Sequence, residues 1–220
     1  MPDQVTVILV RLCECDGNVA RLICRHGSLT EGGRRQAEAL HRALAHKPPT
    51  VVLAPENAAC RQTAELIAGK GPVEVAPAFR EPPYPSWVGL TLDEVAQSWP
   101  REWANYLEPG PGDADRALAP GGESFRATYE RAKEGLDLAF ARYRDASGPI
   151  VIVTHGEITR LLTVGLLGSP LENLFRIRSQ NGSASHFSYD GNRAIFDTIN
   201  DTSHLGGLSS TDLVWQATGR

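Results

Sequence analysis

Two runs of aliphatic and β-branched residues, Val5 to Arg11 (VTVILVR) and Ile150 to Thr154 (IVIVT), set the tightest limit on what this chain can become. Neither alternates apolar with polar residues. A strand without that alternation is buried on both faces, the habit of a parallel sheet covered by helices on each side. Thr50 to Ala54 (TVVLA) repeats the pattern, and Val73 to Val75 adds a short edge. Helical spacing fills the intervals: after Thr30, a plausible N-cap, Ala37, Leu40, Ala43 and Leu44 share one face until Pro48-Pro49 stops the helix. Further helical stretches are expected within Pro55 to Gly69, around Leu92 to Tyr106 and Phe125 to Tyr143, and from Glu157 to Leu167, which ends at Gly168-Ser169-Pro170. Ser183 to Tyr189 and Arg193 to Thr198 suggest a hairpin turning at Asp190-Gly191. The expectation is an α/β fold, a three-layer α/β/α sandwich with a mostly parallel central sheet. Residues 1–205 form one domain on this reading, and the Gly/Ser/Thr-rich residues 206–220 form a loosely held tail.

Composition removes several classes of function. A formal net charge of −4 gives no general pull toward nucleic acid or anionic membranes, so any anion site must be a local arrangement of Arg and His. No apolar run is long enough to span a bilayer, and Met-Pro-Asp-Gln lacks the basic and apolar regions of a signal peptide, so a cytoplasmic location is expected. Cys13, Cys15, Cys24 and Cys60 do not form a disulfide framework in a chain of 220 residues. Their spacing, with Cys24-x-His26, fits no common zinc pattern either. Thiols beside a pocket are expected, with no metal and no cofactor. The partner is expected to be a small-molecule substrate, with a homodimer left open.

In an open α/β sheet, ligands bind beyond the carboxyl ends of the strands. The polar residues there are Arg11 and its neighbours after the first strand, Ala54-Pro55-Glu56 after the second, Glu81 after the third and His155 after the fourth. Glu81 to Leu90, with three prolines and Trp87, is the kind of irregular loop that walls a pocket.

These positions resemble the histidine phosphatase superfamily, also called phosphoglycerate mutase-like. Six segments carry the resemblance in order: Leu29-Thr30 through Gln36-Ala37, Gln62-Thr63-Ala64-Glu65, Gly121-Gly122-Glu123-Ser124, Val153-Thr154-His155-Gly156, Asn181-Gly182-Ser183 and Asn200 to Leu205. The resemblance implies phosphoryl transfer through a phosphohistidine. A neutral imidazole attacks phosphorus, cations hold the oxygens, and a carboxylic acid protonates the leaving alcohol.

The family carries its nucleophile on an Arg-His-Gly at the end of the first strand, and two registers compete for that place. Arg25-His26-Gly27 has the letters, but Ala20 to Cys24 would then be the strand, with Arg21 inside it. Val5 to Val10 is the better buried strand, and Glu14 and Asn18 stand at the family's offsets from Arg11. In this favoured register the motif reads Arg11-Leu12-Cys13, and the nucleophile has become Leu12. The resemblance also puts Ala59 where the family has its second phosphate arginine. Arg61, two residues on, lies about 200° around the helix and cannot simply substitute.

With both phosphate-handling positions changed, the leading expectation is a noncanonical, non-phosphatase enzyme. It would act on a small polar or carboxylated metabolite by acid/base catalysis, with His155 and Glu81 as catalytic residues. An apolar floor at Leu12 and Cys13 would tend to keep a carboxylic acid protonated. Arg11, Asn18, Arg25, His26 and Ser183 are the candidate substrate-binding residues. Two alternatives stand beside it: a phosphomonoester hydrolase using His26 as nucleophile with Arg61 helping, and an inactive ligand- or partner-binding pseudoenzyme. The bland readings are that His155 caps a helix, Glu81 is a surface loop residue, and Arg61 with Glu65 is a solvated helix face.

Overall fold

The structure, a computed structural model, describes residues 4–23 and 27–208. Cys24, Arg25, His26 and residues 209–220 lie outside the described residues, so the expectations placed on them are not tested. Six strands form one sheet: β1 (Val5–Arg11), β2 (Val51–Ala54), β3 (Val73–Val75), β4 (Ile150–Thr154), β5 (Ala184–Tyr189) and β6 (Ala194–Asp201). Their order is β3-β2-β4-β1-β5-β6, with the first four parallel and β5 and β6 added antiparallel. This is the expected three-layer α/β/α architecture with a mostly parallel sheet.

The two-sided burial read from the apolar runs has a direct counterpart. Ile8, Val10, Val52, Val151 and Val153 point to one face, where Leu40, Leu44 and Ile67 cover them. These come from α2 (Glu31–Leu44) and α3 (Ala58–Ala68); a single turn, Asp16–Val19, is α1. Val7, Leu9, Leu53, Ile150 and Ile152 point to the other face, against Leu136, Ile158 and Leu162. Those belong to α6 (Phe125–Tyr143) and α7 (Gly156–Leu166). Successive strand residues go to opposite faces, so one run of valines and isoleucines feeds both cores.

Capping fixes where the helices begin. Thr30 caps α2 by accepting from Gly33 N, and Asn57 caps α3 by accepting from Ala59 N and Cys60 N. One expectation changes here: the stretch from Leu92 to Tyr106 is two helices, α4 (Leu92–Ser98) and α5 (Pro100–Leu107). Pro100 lacks an amide hydrogen and disfavours helical geometry at Trp99, but is well suited to the first position of a new helix. The two helices carry a third cluster, around Tyr84, Trp87, Tyr106 and Phe125, set over the ends of the strands. No helix among the described residues is long and apolar enough to cross a membrane.

Candidate functional site

Hydrogen bonds between neighbouring strands decide what stands at the mouth of the sheet. Arg11 pairs with Thr154 across β1 and β4, so the residues that follow them, Leu12 and His155, emerge side by side. Leu12 N donates to Thr154 O at 2.8 Å, and Leu12 O accepts from Asn181 Nδ2 at 3.1 Å. The Leu12 side chain is buried, as are Cys13 and Cys15. Burial pushes the Cys13 thiol up to about 12, despite a hydrogen bond to Thr63 and with Cys60 adding to the rise, so it stays protonated at neutral pH.

His155 is the N-cap residue of α7 by backbone position, but its side chain makes no capping bond. The imidazole instead sits between two groups: Cys60 Sγ is 3.4 Å from Nε2, and Glu81 Oε1 is 3.5 Å from Nδ1. Burial alone would lower its pKa, but the Cys60 sulfur and the Glu81 carboxylate outweigh that and hold it well above the usual histidine value. Both contacts favour the protonated ring. The loop carrying Glu81 is tied down from two sides. Thr154 Oγ1 donates to Phe79 O at 2.6 Å, and Arg131 Nη1 donates to Ala78 O at 2.6 Å and to Arg80 O at 3.1 Å. Arg131 is itself held by Glu123 at 2.6 Å. Glu81 is thus a positioned residue facing His155 rather than a loose surface acid.

A cavity of about 120 Å³ opens here, lined by Arg11, Leu12, Asn18, Ala59, Glu81 and His155 among others. Five of the seven proposed catalytic and binding residues fall within the described chain, and four of these (Arg11, Asn18, Glu81 and His155) line it. Ser183 does not. Its carbonyl accepts from Arg11 N at 3.0 Å, and its side chain lies behind the strand end, beside Thr159 and Ser179. Arg61, offered as a helper, points away: its side chain is 55% exposed and pairs with Glu65 along the same helix. The 200° estimate from the helix repeat anticipated this. Arg25 and His26 lie outside the described residues, although Ile23 and Gly27 on either side both line the cavity.

The sequence reading missed Arg160 and Glu157. Arg160 is 1% exposed and lines the same cavity. Its Nε donates to Ile177 O at 3.1 Å, and its guanidinium lies 5.4 Å from the centre of the Phe175 ring. Gly156 shows how near it comes to Arg11. A Cβ at Gly156 would stand 3.0 Å from Arg160 Nη1 and 3.4 Å from Arg11 Nε, so a larger residue would make both guanidinium groups shift by a few tenths of an ångström. Glu157, also buried, accepts a hydrogen bond from Tyr106 Oη. The missed signal was spacing: residues 156, 157 and 160 share the face of α7 nearest the histidine. Among the described residues no group of three His, Cys, Asp or Glu is placed to hold a metal ion.

The profile of the histidine phosphatase superfamily (branch 1) matches residues 7–202. The chain belongs to that superfamily. It is 30% identical over 185 residues to the adenosylcobalamin/alpha-ribazole phosphatase of Salmonella typhi, covering 79% of this chain and 85% of that one. It is 29% identical over 219 residues to a probable phosphoglycerate mutase GpmB of Erwinia tasmaniensis, covering 96% and 99%. The vanadate complex of the mycobacterial glucosyl-3-phosphoglycerate phosphatase Rv2419c superposes with a TM-score of 0.79 at 25% identity, covering 90% and 100%.

The relatives are named as phosphatases and a probable phosphoglycerate mutase, and those names overturn the expectation of a non-phosphatase, acid/base chemistry for this chain. The physical error lay in counting cations along the sequence. Arg160, inside α7, was left out of that count, and with Arg11 it puts two guanidinium groups on the cavity beside the carboxyl groups of Glu81 and Glu157.

Proposed function

We propose that this chain hydrolyses phosphomonoesters in the cavity between β1, β4 and the aromatic cluster. The observation that carries the reading is the convergence of Arg11, Arg160 and His155 on one small cavity, with the Glu81 carboxylate 3.5 Å from His155 Nδ1. Two guanidinium groups and a protonated imidazole suit the charge that builds on a transferring phosphoryl group. In this reading Leu12 stands where the superfamily keeps its nucleophilic histidine, and Ala59 where it keeps a phosphate arginine. A leucine cannot attack phosphorus, so the nucleophile is assigned to His26, whose described neighbours Ile23 and Gly27 line the cavity.

The chemistry then balances as follows. The neutral His26 imidazole attacks phosphorus as the ester P–O bond breaks. The departing alkoxide takes the proton shared by the His155–Glu81 pair. Water then attacks the phosphohistidine, returning its proton to the same pair and releasing inorganic phosphate and free imidazole. Asn18 lines the cavity, but its side-chain oxygen is engaged by Asn181 Nδ2 at 2.9 Å and Cys15 N at 3.0 Å. Its role is to hold the loop after β1 in place.

The test is turnover of a phosphomonoester panel by the full chain, with His26→Ala and His155→Ala beside it, and phosphorus NMR for an acid-labile phosphohistidine. Loss of turnover and of the phosphohistidine in His26→Ala supports the assignment. Turnover that survives in His26→Ala refutes the nucleophile, and binding without turnover across the panel refutes the hydrolase.

A further inference from the structure

The cavity has a second wall that the phosphoryl chemistry leaves unexplained. Ile23 N donates to Leu90 O at 3.0 Å and Gly89 N donates to Ile23 O at 2.8 Å, which fastens the segment ending at Ile23 to the loop after Trp87. Leu22 bridges to Thr91 in the same way. Leu22, Ile23, Trp87, Leu92 and Trp103 therefore form a continuous apolar wall, and all five line the cavity. The wall is rigid. Trp87 stacks on Tyr84 with ring centres 5.6 Å apart, and meets Trp103 edge-on at 6.1 Å and Tyr106 edge-on at 5.9 Å.

The polar atoms of the ring cluster are not offered to the cavity. The Tyr106 hydroxyl is engaged with Glu157. The indole nitrogen of Trp87 is buried in a residue 1% exposed and has no hydrogen-bond partner among the described residues. That nitrogen is not accessible from the cavity, so the wall meets whatever enters with carbon alone. The rest of the wall offers nothing to a polyol. Sugar hydroxyls laid against Leu22, Ile23 and Leu92 would lose water and gain no partner, whereas a flat apolar ring gains area and ring contacts.

We propose that this wall is a subsite for an aromatic or heteroaromatic group on the alcohol side of the substrate, held by the apolar faces of Leu22, Ile23, Trp87, Leu92 and Trp103. The inference rests on the phosphomonoester reading for the position of the phosphoryl group, but makes its own demand on binding. The ring lies against this wall with the phosphoryl group beside Arg11 and His155, which line the same cavity.

The experiment uses nonhydrolysable probes on the full chain: benzylphosphonate against 2-hydroxyethylphosphonate, measured by calorimetry. The aromatic probe is expected to bind about tenfold tighter or better. Trp103→Ala and Leu22→Ala, on partly buried side chains and each checked for folding by circular dichroism, are expected to bring that ratio close to one. Equal affinities, no binding of benzylphosphonate, or a preference that survives both substitutions would overturn the subsite. The two readings fail separately. A chain that prefers benzylphosphonate but cleaves no ester keeps the subsite and loses the hydrolase. A chain that cleaves benzyl phosphate and glycerol phosphate with equal kcat/KM keeps the hydrolase and loses the subsite.

Discussion

The ends of β1 and β4 lie against each other in register, Arg11 beside Thr154, yet they deliver opposite chemistries to the same cavity. After β4 come an imidazole gripped by Cys60 and Glu81, a glycine that lets two guanidinium groups close in, and a buried carboxylate. After β1 come a buried leucine and a thiol held protonated. One strand end has been kept polar and the other has been absorbed into the core. The difference shows that two strand ends in register can serve a core and a cavity at once, because the backbone at the end of β1 is held by its neighbours through main-chain bonds.

The contrast is broken most severely by His155→Ala. Activity on the best phosphomonoester is expected to fall by about 10² to 10⁴ in kcat/KM, the range for a positioned acid or base. Steady-state kinetics on a variant shown by circular dichroism to be folded would check it, and full activity would remove His155 from the chemistry. Leu12→Ala should do the reverse, costing about 2–5 kcal/mol of stability as a core truncation, read from urea unfolding. A Leu12→Ala protein as stable as the parent would show that the β1 end is not core.

Gly156→Ala sharpens the comparison at the guanidinium pair. Its Cβ would press on the flexible ends of Arg160 and Arg11, so about a fivefold loss of kcat/KM is expected with little change in thermal stability. Cys60→Ala removes one of the two groups that raise the His155 pKa. The high-pH limb of the activity profile should therefore move to lower pH, and Cys60→Ser should move it less. The same raised value has a consequence for stability. A histidine whose folded pKa is raised adds stability that is fully present below about pH 6.5, its unfolded value, and is lost as pH rises through the folded value. Glu81→Gln should narrow the difference between stability at acid and at alkaline pH. Arg61→Ala, at the small end, should leave both activity and melting temperature unchanged, since its exposed pair with Glu65 contributes little.

The sheet was legible because burial on two faces writes itself as unbroken apolar runs, and the favoured register rested on that quality at Val5 to Val10. The His155 and Glu81 positions were legible because they directly follow strands. Arg160 and Glu157 were not, because an arginine and a glutamate inside an amphipathic helix pattern look like its solvated side. In fact nine consecutive residues of α7, from Gly156 to Val164, are buried, so this helix has no solvated side there. The break at Pro100 was missed because the apolar spacing continues across it. Cys60 was read only as a thiol near a pocket, since its contact with His155 joins residues 95 apart in the chain.

The backbone at Leu12 suggests a use beyond explaining what this protein does. Its amide is fixed to Thr154, and its carbonyl accepts from both Asn181 and Gly182, at 3.1 and 3.3 Å. Those bonds make position 12 a socket whose orientation is set by main-chain atoms and is indifferent to the plug. A single-codon exchange there, or a noncanonical amino acid incorporated in its place, would present a chosen functional group to Arg11 and His155 without rebuilding the scaffold. Position 12 is in that sense a place where new side-chain chemistry can be introduced beside Arg11 and His155, which line the same cavity.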